Sequence, residues 1–472
     1  MKILLFGTGE YYKRYKHWFS KEDILALLDN SPSKHNTCMD GLLILSPGEG
    51  IKLPFDVIVI LSFFVKEMKE QLIELGVQEN KVYHFYDMHQ LVYKKDVIKP
   101  IQYYGDLERG ITLKGSSNKK ILLLSQDLEL GGPSIALFHA AKTLEDQGYH
   151  VLYASMMDGP LRNVLLKNNI PVVVDINLQI ETMEEAEWTK EFNLIICNTL
   201  NFHIFLMERD TAIPVIWWLH DPIFFYAGAR KDNMQKINLV NMEVCSVGPF
   251  PEIAIREYIP GLQVKRLLYG VPDMCKQNEV PDIGKTEKRE KIRFITIGYI
   301  NSIKGQDVLL KAIKMMPDEM REKSVFYFVG QKDSPLALEL EQEIRSMPEI
   351  IMTGVVDRDR INELLSSADV LICPSREDAM PTVAAEAMMH GVPCILSDAT
   401  GTAEYIEDGI NGFVFQSENT QMLLEKIIWC IRHYEKIYSM GKRARGTYDK
   451  YFSMDVFKKG LIKLVDDCID IK

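Results

Sequence analysis

An α/β architecture of three successive Rossmann-like segments is the fold class that this 472-residue sequence predicts. Short apolar runs rich in β-branched residues, such as residues 368–373, alternate with helical segments along most of the chain. This pattern is typical of parallel strands that are covered on both faces. Several of these runs end in a glycine-containing loop, and at about 150 residues per domain the length indicates about three domains.

The composition is that of an ordinary globular protein, with 47% hydrophobic and 26% charged residues. A net charge of −11 argues against nucleic acid as the main partner. The eight cysteines are scattered without a C-x-x-C pair, which favours a reducing compartment over disulfides or a zinc site. Because no apolar run approaches the ~18 residues of a membrane span, and because the apolar N-terminal run is too short for a secretory signal, we predict a cytoplasmic protein, open to peripheral contact with the membrane.

Residues 1–95 are predicted to form a Rossmann-like domain of their own. A glycine loop with Gly7 and Gly9 follows the first apolar run, and Asp29 ends the second run twenty residues after Gly9. This spacing matches the dinucleotide fingerprint, but Tyr12 occupies the place of its third glycine. The segment resembles small Rossmann-like domains fused to bacterial sugar-modifying enzymes. A degenerate or regulatory fold and a working nucleotide or sugar-nucleotide site both remain open.

The rest of the chain divides by composition and by its glycine and proline content. The predicted parts are a linker at 96–118, an α/β domain at 119–275, a Lys/Glu-rich hinge at 276–290, an α/β domain at 291–435, and C-terminal helices at 436–472. We expect both Trp217 and Trp218 to be buried, because both faces of a parallel sheet are covered.

Residues 373–415 carry the chemistry in a strand, loop, helix and strand unit. Pro381 precedes a helix predicted from Thr382 to His390, with Gly391 as its C-terminal stop. The unpaired N–H groups at the start of this helix offer a site for a phosphate. The carboxylate of Glu386, one turn further on, can accept hydrogen bonds from both hydroxyls of a ribose. Phosphate and ribose together indicate a nucleotide.

This stretch resembles the signature of the retaining glycosyltransferases of family 4, P-S-x-x-E-G-x-P-x-x-x-x-E-A-M-x-x-G-x-P-V-I followed by a Gly-rich turn, a Glu and N-G-x-x-V. The matching residues are Pro374, Ser375, Pro381, Glu386, Ala387, Met388, Gly391, Pro393, Ile395, Glu404, Asn411, Gly412 and Val414. The first Glu of the signature is replaced by Asp378, and the Arg of the family's G-R-L-x-x-x-K-G pattern by Tyr299. Lys304 and Gly305 match the end of that pattern.

The resemblance implies a GT-B fold, in which residues 119–275 form the acceptor domain and 291–435 the nucleotide-sugar donor domain, with the C-terminal helices crossing back to the acceptor domain. It implies catalytic roles for His220, Lys304 and Asp378, with Asp221 able to orient the His220 ring. The donor-binding residues it implies are Gly131, Gly132, Tyr299, Gly354, Val355, Glu377, Met380, Pro381, Thr382, Val383 and Glu386.

The implied activity is transfer of a sugar from a UDP- or GDP-sugar to a glycan or lipid-linked acceptor hydroxyl, with retention of configuration, in bacterial surface polysaccharide or glycoconjugate synthesis. No metal and no further cofactor is implied, and we interpret Asp357-Arg358-Asp359 as a helix cap rather than a metal-binding D-x-D. Because Tyr299 and Asp378 depart from the family pattern, a nucleotide-sugar-sensing or scaffold protein on the same fold is the alternative. An oxidoreductase using NAD would rest on residues 7–29 alone.

Overall fold

The computed structural model describes residues 1–91, 98–106, 119–275 and 290–469. The chain forms two compact units. The first comprises Met1–Val244, Ile253–Gln263 and Cys468–Lys472, and the second comprises Cys245–Glu252 and Val264–Asp467. The predicted hinge at 276–290 lies almost entirely outside the described residues.

The first compact unit begins with a six-stranded sheet in the order β3-β4-β2-β1-β5-β6. Its strands are β1 (Ile3–Phe6), β2 (Ile24–Leu28), β3 (Cys38–Met39), β4 (Leu42–Leu45), β5 (Val57–Ile60) and β6 (Val82–His84). The α-helices are Glu10–Tyr15, Pro47–Gly50, Val65–Glu74 and Met88–Leu91. All strand pairs are parallel except β3 with β4. Buried aliphatic side chains of β1, β2 and β5 pack with Met68 and Leu72 of the third helix to form the core of this domain.

A second sheet has the order β14-β13-β12-β11-β8-β9-β10-β7. Its strands are β7 (Gln102–Tyr104), β8 (Lys120–Ser125), β9 (His150–Ser155), β10 (Val172–Val174), β11 (Leu194–Asn198), β12 (Val215–Leu219), β13 (Met242–Ser246) and β14 (Lys265–Arg266). The α-helices along this part of the chain are Gly132–Asp146, Leu161–Lys167, His203–Met207, Ile223–Tyr226, Lys231–Met234 and Pro249–Tyr258. Trp217 and Trp218 of β12 are both fully buried, which confirms the expectation from the sequence.

One strand of this sheet lies where the sequence predicted a linker. β7 pairs antiparallel with β10, with Tyr104 opposite Val172. The tyrosines and the glycine near this position suggested irregular chain, but an edge strand needs a neighbour on one side only and can be short. Residues 107–118 of the predicted linker lie outside the described residues.

The second compact unit is built on a six-stranded, wholly parallel sheet in the order β17-β16-β15-β18-β19-β20. Its strands are β15 (Ile292–Ile297), β16 (Ser324–Val329), β17 (Ile350–Gly354), β18 (Val370–Cys373), β19 (Cys394–Ser397) and β20 (Gly412–Phe415). The α-helices are Gln306–Lys314, Asp318–Glu322, Pro335–Glu343, Arg358–Ser367, Thr382–Met389, Thr420–Arg432, Tyr434–Thr447 and Met454–Ile469. Among the described residues, no helix is long and apolar enough to cross a membrane.

The helix at the centre of the candidate site spans Thr382–Met389, one residue shorter than predicted. Pro381 is its N-cap, and Gly391 adopts a left-handed conformation just beyond its end. The small residues Ala384, Ala385 and Ala387 are fully buried and allow the helix to approach the sheet closely. The strand before this helix and the strand after it, β18 and β19, are neighbours in the sheet. The loop that opens the helix therefore lies at the carboxyl edge of the sheet, where open α/β sheets bind ligands.

Candidate active site

The loop after β15 and the loop after β18 lie against each other in the second compact unit. Gly305 has φ +69°, and a Cβ atom at this position would come within 2.1 Å of the Pro374 carbonyl oxygen. Any residue other than glycine would therefore be strained and would push the two loops apart. The amide of Arg376 also donates a hydrogen bond to the carbonyl oxygen of Ile303, at 2.7 Å. These contacts place Lys304 beside the loop that carries Asp378.

Lys304 and Asp378, both predicted as catalytic, form an ion pair with 2.5 Å between Nζ and Oδ2. The backbone of Asp378 is held by the next loop, since its amide donates to the Ala399 carbonyl and its carbonyl accepts from the Gly401 amide. Burial by itself would lower the pKa of Lys304, but the neighbouring Asp378 carboxylate outweighs it and the pKa is raised. The ammonium group is therefore charged at any physiological pH, and its position is fixed.

Four of the predicted donor-binding residues, Met380, Pro381, Thr382 and Val383, lie at the start of the Thr382–Met389 helix. The N–H groups of a first helical turn have no partner within the helix. They present the positive end of the helix dipole at the carboxyl edge of the sheet. Tyr269 supports this turn from below, since its buried hydroxyl donates to the Pro381 carbonyl oxygen at 3.1 Å.

Glu386 is buried inside the same helix and is contacted by Arg358. Both guanidinium nitrogens of Arg358 reach the carboxylate, with Nη1 3.4 Å from Oε2 and Nη2 close to Oε1. The Arg358 side chain is 61% exposed, whereas the Glu386 side chain is 4% exposed. The arginine can therefore move into solvent at little cost, while the carboxylate cannot. A ribose at Glu386 would share the carboxylate with Arg358 or displace it.

Arg358 is a site residue that sequence reasoning missed, because we interpreted Asp357-Arg358-Asp359 only as a cap. That interpretation is confirmed for Asp357, whose side chain accepts a hydrogen bond from the Arg360 amide at 2.8 Å. A cap fixes where the helix begins, and Arg358 is the first residue of that helix, from which its side chain reaches Glu386. Among the described residues, no group of three or more His, Cys, Asp or Glu side chains could hold a metal ion.

The remaining donor-binding residues predicted in this unit lie along the same edge of the sheet. Tyr299 follows β15 and is 42% exposed. Gln331 and Tyr299 both hydrogen-bond to the carboxylate of Asp333 and lower its pKa. Gly354 ends β17 and is buried, and the next residue, Val355, is 74% exposed. Glu377 is half-buried next to Asp378. The acid Asp333 near Tyr299 could not be anticipated, because it follows a different strand.

A second cationic side chain, Arg376, forms ion pairs with two acidic residues. The guanidinium of Arg376 binds Asp307 through two hydrogen bonds, both 2.8 Å, and its Nε donates to Glu418 at 2.8 Å. A bidentate pair of this kind fixes both the position and the orientation of an arginine. Arg376 therefore braces the loop after β18 onto the helix that begins at Gln306.

The first compact unit holds the other three predicted residues. Gly131 caps the fifteen-residue helix Gly132–Asp146, whose start follows the loop after β8. This glycine loop is held from below by Asp127, which accepts hydrogen bonds from the Ser134 hydroxyl at 3.0 Å and from the Glu129 amide at 3.2 Å. Sequence reasoning did not single out Asp127, although a polar residue just after a buried strand is a common signal of a site.

His220 follows β12 directly and is buried against the Trp218 ring, with 4.4 Å between ring centroids. Burial lowers its pKa to about 3, so the imidazole is neutral at pH 7. Its buried Nε2 atom has no hydrogen-bond partner among the described residues. Asp221 is also buried, which raises the pKa of its carboxyl to about 7, and it accepts a 2.6 Å hydrogen bond from the Leu200 amide. Asp221 thus ties the end of β12 to the loop after β11.

The Lys304–Asp378 ion pair, the start of the Thr382–Met389 helix and the buried Glu386 thus lie in one unit with a wholly parallel sheet. This arrangement defines an open α/β protein of the class that binds ligands at the carboxyl edge of its sheet. Comparison with known proteins identifies the family. Residues 279–447 match the glycosyl transferases group 1 model, residues 117–246 match glycosyl-transferase family 4, and residues 1–83 match the C2185-like N-terminal domain. The chain therefore carries a glycosyl transferases group 1 domain and a glycosyl-transferase family 4 domain, preceded by an additional α/β domain.

Among known proteins, an uncharacterized 41.2 kDa protein in the cps region of Klebsiella pneumoniae is 29% identical over 32% of this chain and 38% of its own length. The lipopolysaccharide glucosyltransferase WaaG of Escherichia coli is 27% identical over 33% of this chain and 46% of its own length. The chain thus spans less than half the length of either relative. The crystal structure of HepE from Anabaena in complex with UDP-glucose matches 74% of this chain and 100% of that chain, with a TM-score of 0.62 and 20% identity. That likeness confirms the GT-B fold.

Proposed function

We propose that this protein is a retaining glycosyltransferase that moves a sugar from a UDP- or GDP-sugar to the hydroxyl of a glycan or lipid-linked acceptor. The observation that carries the proposal is the Lys304–Asp378 ion pair at the carboxyl edge of the donor sheet, beside the start of the Thr382–Met389 helix. A helix N-terminus favours a phosphate group. The fixed ammonium group of Lys304, beside the start of the helix, favours a leaving diphosphate on which negative charge develops.

In this proposal, residues of the chain stabilise the charge that develops during the reaction. As the glycosidic bond of the donor breaks, negative charge grows on the oxygen of the leaving diphosphate. Lys304 and the first-turn amides near Thr382 and Val383 are in place before the reaction, so they stabilise that charge without reorganisation. Asp378 keeps the lysine charged and correctly placed. Glu386 binds the ribose hydroxyls of the donor, and the acceptor attacks from the face that the diphosphate leaves, which retains the configuration.

The proposal needs no metal, because a cation and amide dipoles act on the diphosphate. His220 is neutral and buried, and in the proposal its Nε2 atom is available for one hydrogen bond with a substrate. The names of the relatives support a polysaccharide context, since WaaG is a lipopolysaccharide glucosyltransferase and the Klebsiella relative lies in a cps region. We therefore propose a bacterial surface polysaccharide or glycoconjugate as the product.

A turnover assay tests the proposal directly. The full-length protein is incubated with UDP- and GDP-sugars, with and without glycan and lipid-linked acceptors, and release of UDP or GDP is measured together with the mass of the acceptor. We expect one donor to be consumed with a matching gain in acceptor mass, and the Glu386→Gln variant to lose most of that turnover. A protein that binds UDP or GDP tightly but turns over no donor would instead support a nucleotide-sugar sensor.

A further inference from the structure

A pocket of about 550 Å³ lies at the carboxyl edge of the N-terminal sheet, where β1, β2 and β5 end. This volume falls in the range of small-molecule sites. Its walls include the Gly7 loop, Asp29, the aromatic side chains Tyr11, Phe63 and Phe64, and residues of the Val65–Glu74 helix. All of the residues that line the pocket belong to the first compact unit, whereas Lys304 belongs to the second.

The contacts in this pocket argue against a dinucleotide. Asp29, the acid that the fingerprint assigns to a ribose, already accepts hydrogen bonds from the Thr8 amide and hydroxyl, the Ser31 amide and the Lys34 ammonium group. The Gly7 amide is also occupied, since it donates to the Leu28 carbonyl at 2.8 Å. Asp29 and the Gly7 amide, two of the groups that the fingerprint assigns to a ribose and a pyrophosphate, are thus already engaged within the protein.

The charge of the walls argues against any phosphate. Three lining residues, Glu10, Asp29 and Glu67, are acids, and among the described residues that line the pocket none is Lys or Arg. A phosphate group would therefore lie among carboxylates without a cation in the lining. Two of the acids are already balanced, because Glu10 pairs with Lys13 and Asp29 with Lys34. The pocket consequently favours an uncharged ligand over an anion, and it has little surplus charge for a cation.

The remaining walls suit a polyhydroxylated ring. Asn30 and Gln71 hydrogen-bond each other through one N–H and one oxygen each, both at 3.0 Å. Each amide keeps a second N–H and further acceptor capacity for a ligand. The aromatic rings offer flat apolar surfaces, and a pyranose has flat C–H faces together with hydroxyls around its edge. We propose that this pocket is a binding site for an uncharged saccharide, with its C–H face on the aromatic wall and its hydroxyls on the Asn30 and Gln71 amides.

The aromatic wall is already in place before a ligand binds. The Tyr11 ring lies 4.3 Å from Phe63 and 4.7 Å from Phe85, measured between centroids. Phe63 in turn lies 4.6 Å from Phe225, which follows the end of β12. Rings fixed by such contacts lose little freedom when a ligand stacks on them, and preformed walls improve affinity. Phe64, by contrast, is 53% exposed and forms the open side of the pocket.

Saturation-transfer NMR on the full-length protein tests the inference. The probes are the methyl glycosides of glucose, galactose, mannose, rhamnose and N-acetylglucosamine, with NAD, inorganic phosphate and choline as charged comparisons. We expect at least one glycoside to bind, and Phe64→Ala to weaken that binding about tenfold, the size of one aromatic contact. Gln71→Ala should have a similar effect. Because Phe64 is exposed, its replacement leaves the core intact.

Two control variants test whether the glycoside binds in this pocket. Ile73→Ala changes an exposed residue of the same helix that does not line the pocket, and it should leave glycoside binding unchanged. Glu386→Gln should also leave it unchanged, because Glu386 does not line the pocket. The inference is overturned if no glycoside of the panel gives a signal that Phe64→Ala removes. It is equally overturned if NAD, phosphate or choline is the probe whose binding Phe64→Ala removes.

Discussion

Replacing Lys304 with alanine should reduce kcat by about 10²–10³ while changing donor affinity much less. We expect the loss in kcat because negative charge grows on the leaving diphosphate only as the glycosidic bond breaks, so that Lys304 acts mainly in the transition state. A unit charge about 4 Å from another contributes about 4 kcal/mol at an effective dielectric constant of about 20. Each 1.36 kcal/mol is about tenfold in rate, so the upper limit is about 10³. The Lys304 side chain is 34% exposed, and screening by solvent lowers the effect toward 10².

The assay is steady-state turnover of the preferred nucleotide sugar, with binding of UDP or GDP measured by calorimetry on the same preparations. Lys311→Ala is the matched control. Lys311 also pairs with an acid, Asp307, at 3.3 Å, but its side chain is 64% exposed. Its removal should change kcat by less than about twofold, as for other surface pairs. This comparison separates loss of a cation at the site from loss of a lysine in general.

Lys304→Ala also leaves the Asp378 carboxylate, which is only 12% exposed, without its partner. An uncompensated, partly buried charge can destabilise the fold. The double variant Lys304→Met/Asp378→Asn removes both charges at nearly constant volume and should fold normally, yet it should show the same loss of kcat. The reasoning fails if both variants are folded and turn over within about threefold of the unmodified protein, since a loss of 10² or more is what removal of an electrostatic contact to a transition state costs.

Four further predictions concern the candidate donor site and Asp221. Glu386→Gln should weaken UDP or GDP binding in calorimetry by the ~1.5–3 kcal/mol of a charge-assisted hydrogen bond, and unchanged affinity would place the ribose elsewhere. Turnover should survive excess EDTA, so a loss that Mg²⁺ or Mn²⁺ restores would contradict the metal-independent proposal. Tyr299→Arg should raise kcat less than Tyr299→Arg/Asp333→Asn, because Asp333 would pair with the new guanidinium, and equal kcat values would show that Asp333 is too far away. Since the pKa of Asp221 is raised to about 7, this group contributes stability that is present at low pH and lost as the pH rises through 7. Asp221→Asn should therefore increase Tm more at pH 8 than at pH 5, and an equal change at both pH values would refute the raised pKa.

The fold class and most elements of the sheet in the second compact unit could be predicted from the sequence, because each element carries its own local signal. Pro381 and Gly391 mark the ends of a helix that the structure places at Thr382–Met389. The GT-B prediction depended on the family signature, since the alternation of strands and helices is common to many folds. The short edge strand β7 carries no such signal. Its position depends on pairing with β10, about seventy residues further along the chain.

Single residues of the candidate site could be predicted from the motif of their own loop. Contacts between residues of two different loops could not. Lys304 and Asp378 were each singled out, but their ion pair joins residues 74 positions apart and no periodicity indicates it. The contact of Arg358 with Glu386 is of the same kind, with 28 positions between them. In the second case Arg358 already had a sufficient local interpretation, as part of a helix cap. The pairing appears only when the strands are placed side by side.

The contacts of residues 1–91 with the rest of the first compact unit also could not be predicted from the sequence. Because all family motifs lie after residue 119, the sequence alone predicts that residues 1–95 are dispensable for chemistry but not for regulation or assembly. In the first compact unit, however, this domain packs on the ends of β11 and β12, with Tyr86 against His203 at 5.1 Å between centroids and Arg230 paired to Asp87 at 2.9 Å. A Cβ atom on Gly228 would lie 2.4 Å from the His84 ring. Contacts this close leave no room for water, so removing the domain would expose apolar surface just beyond His220. The N-terminal domain therefore packs against the segment that follows β12, and Phe63 of the proposed saccharide pocket contacts Phe225 of that same segment.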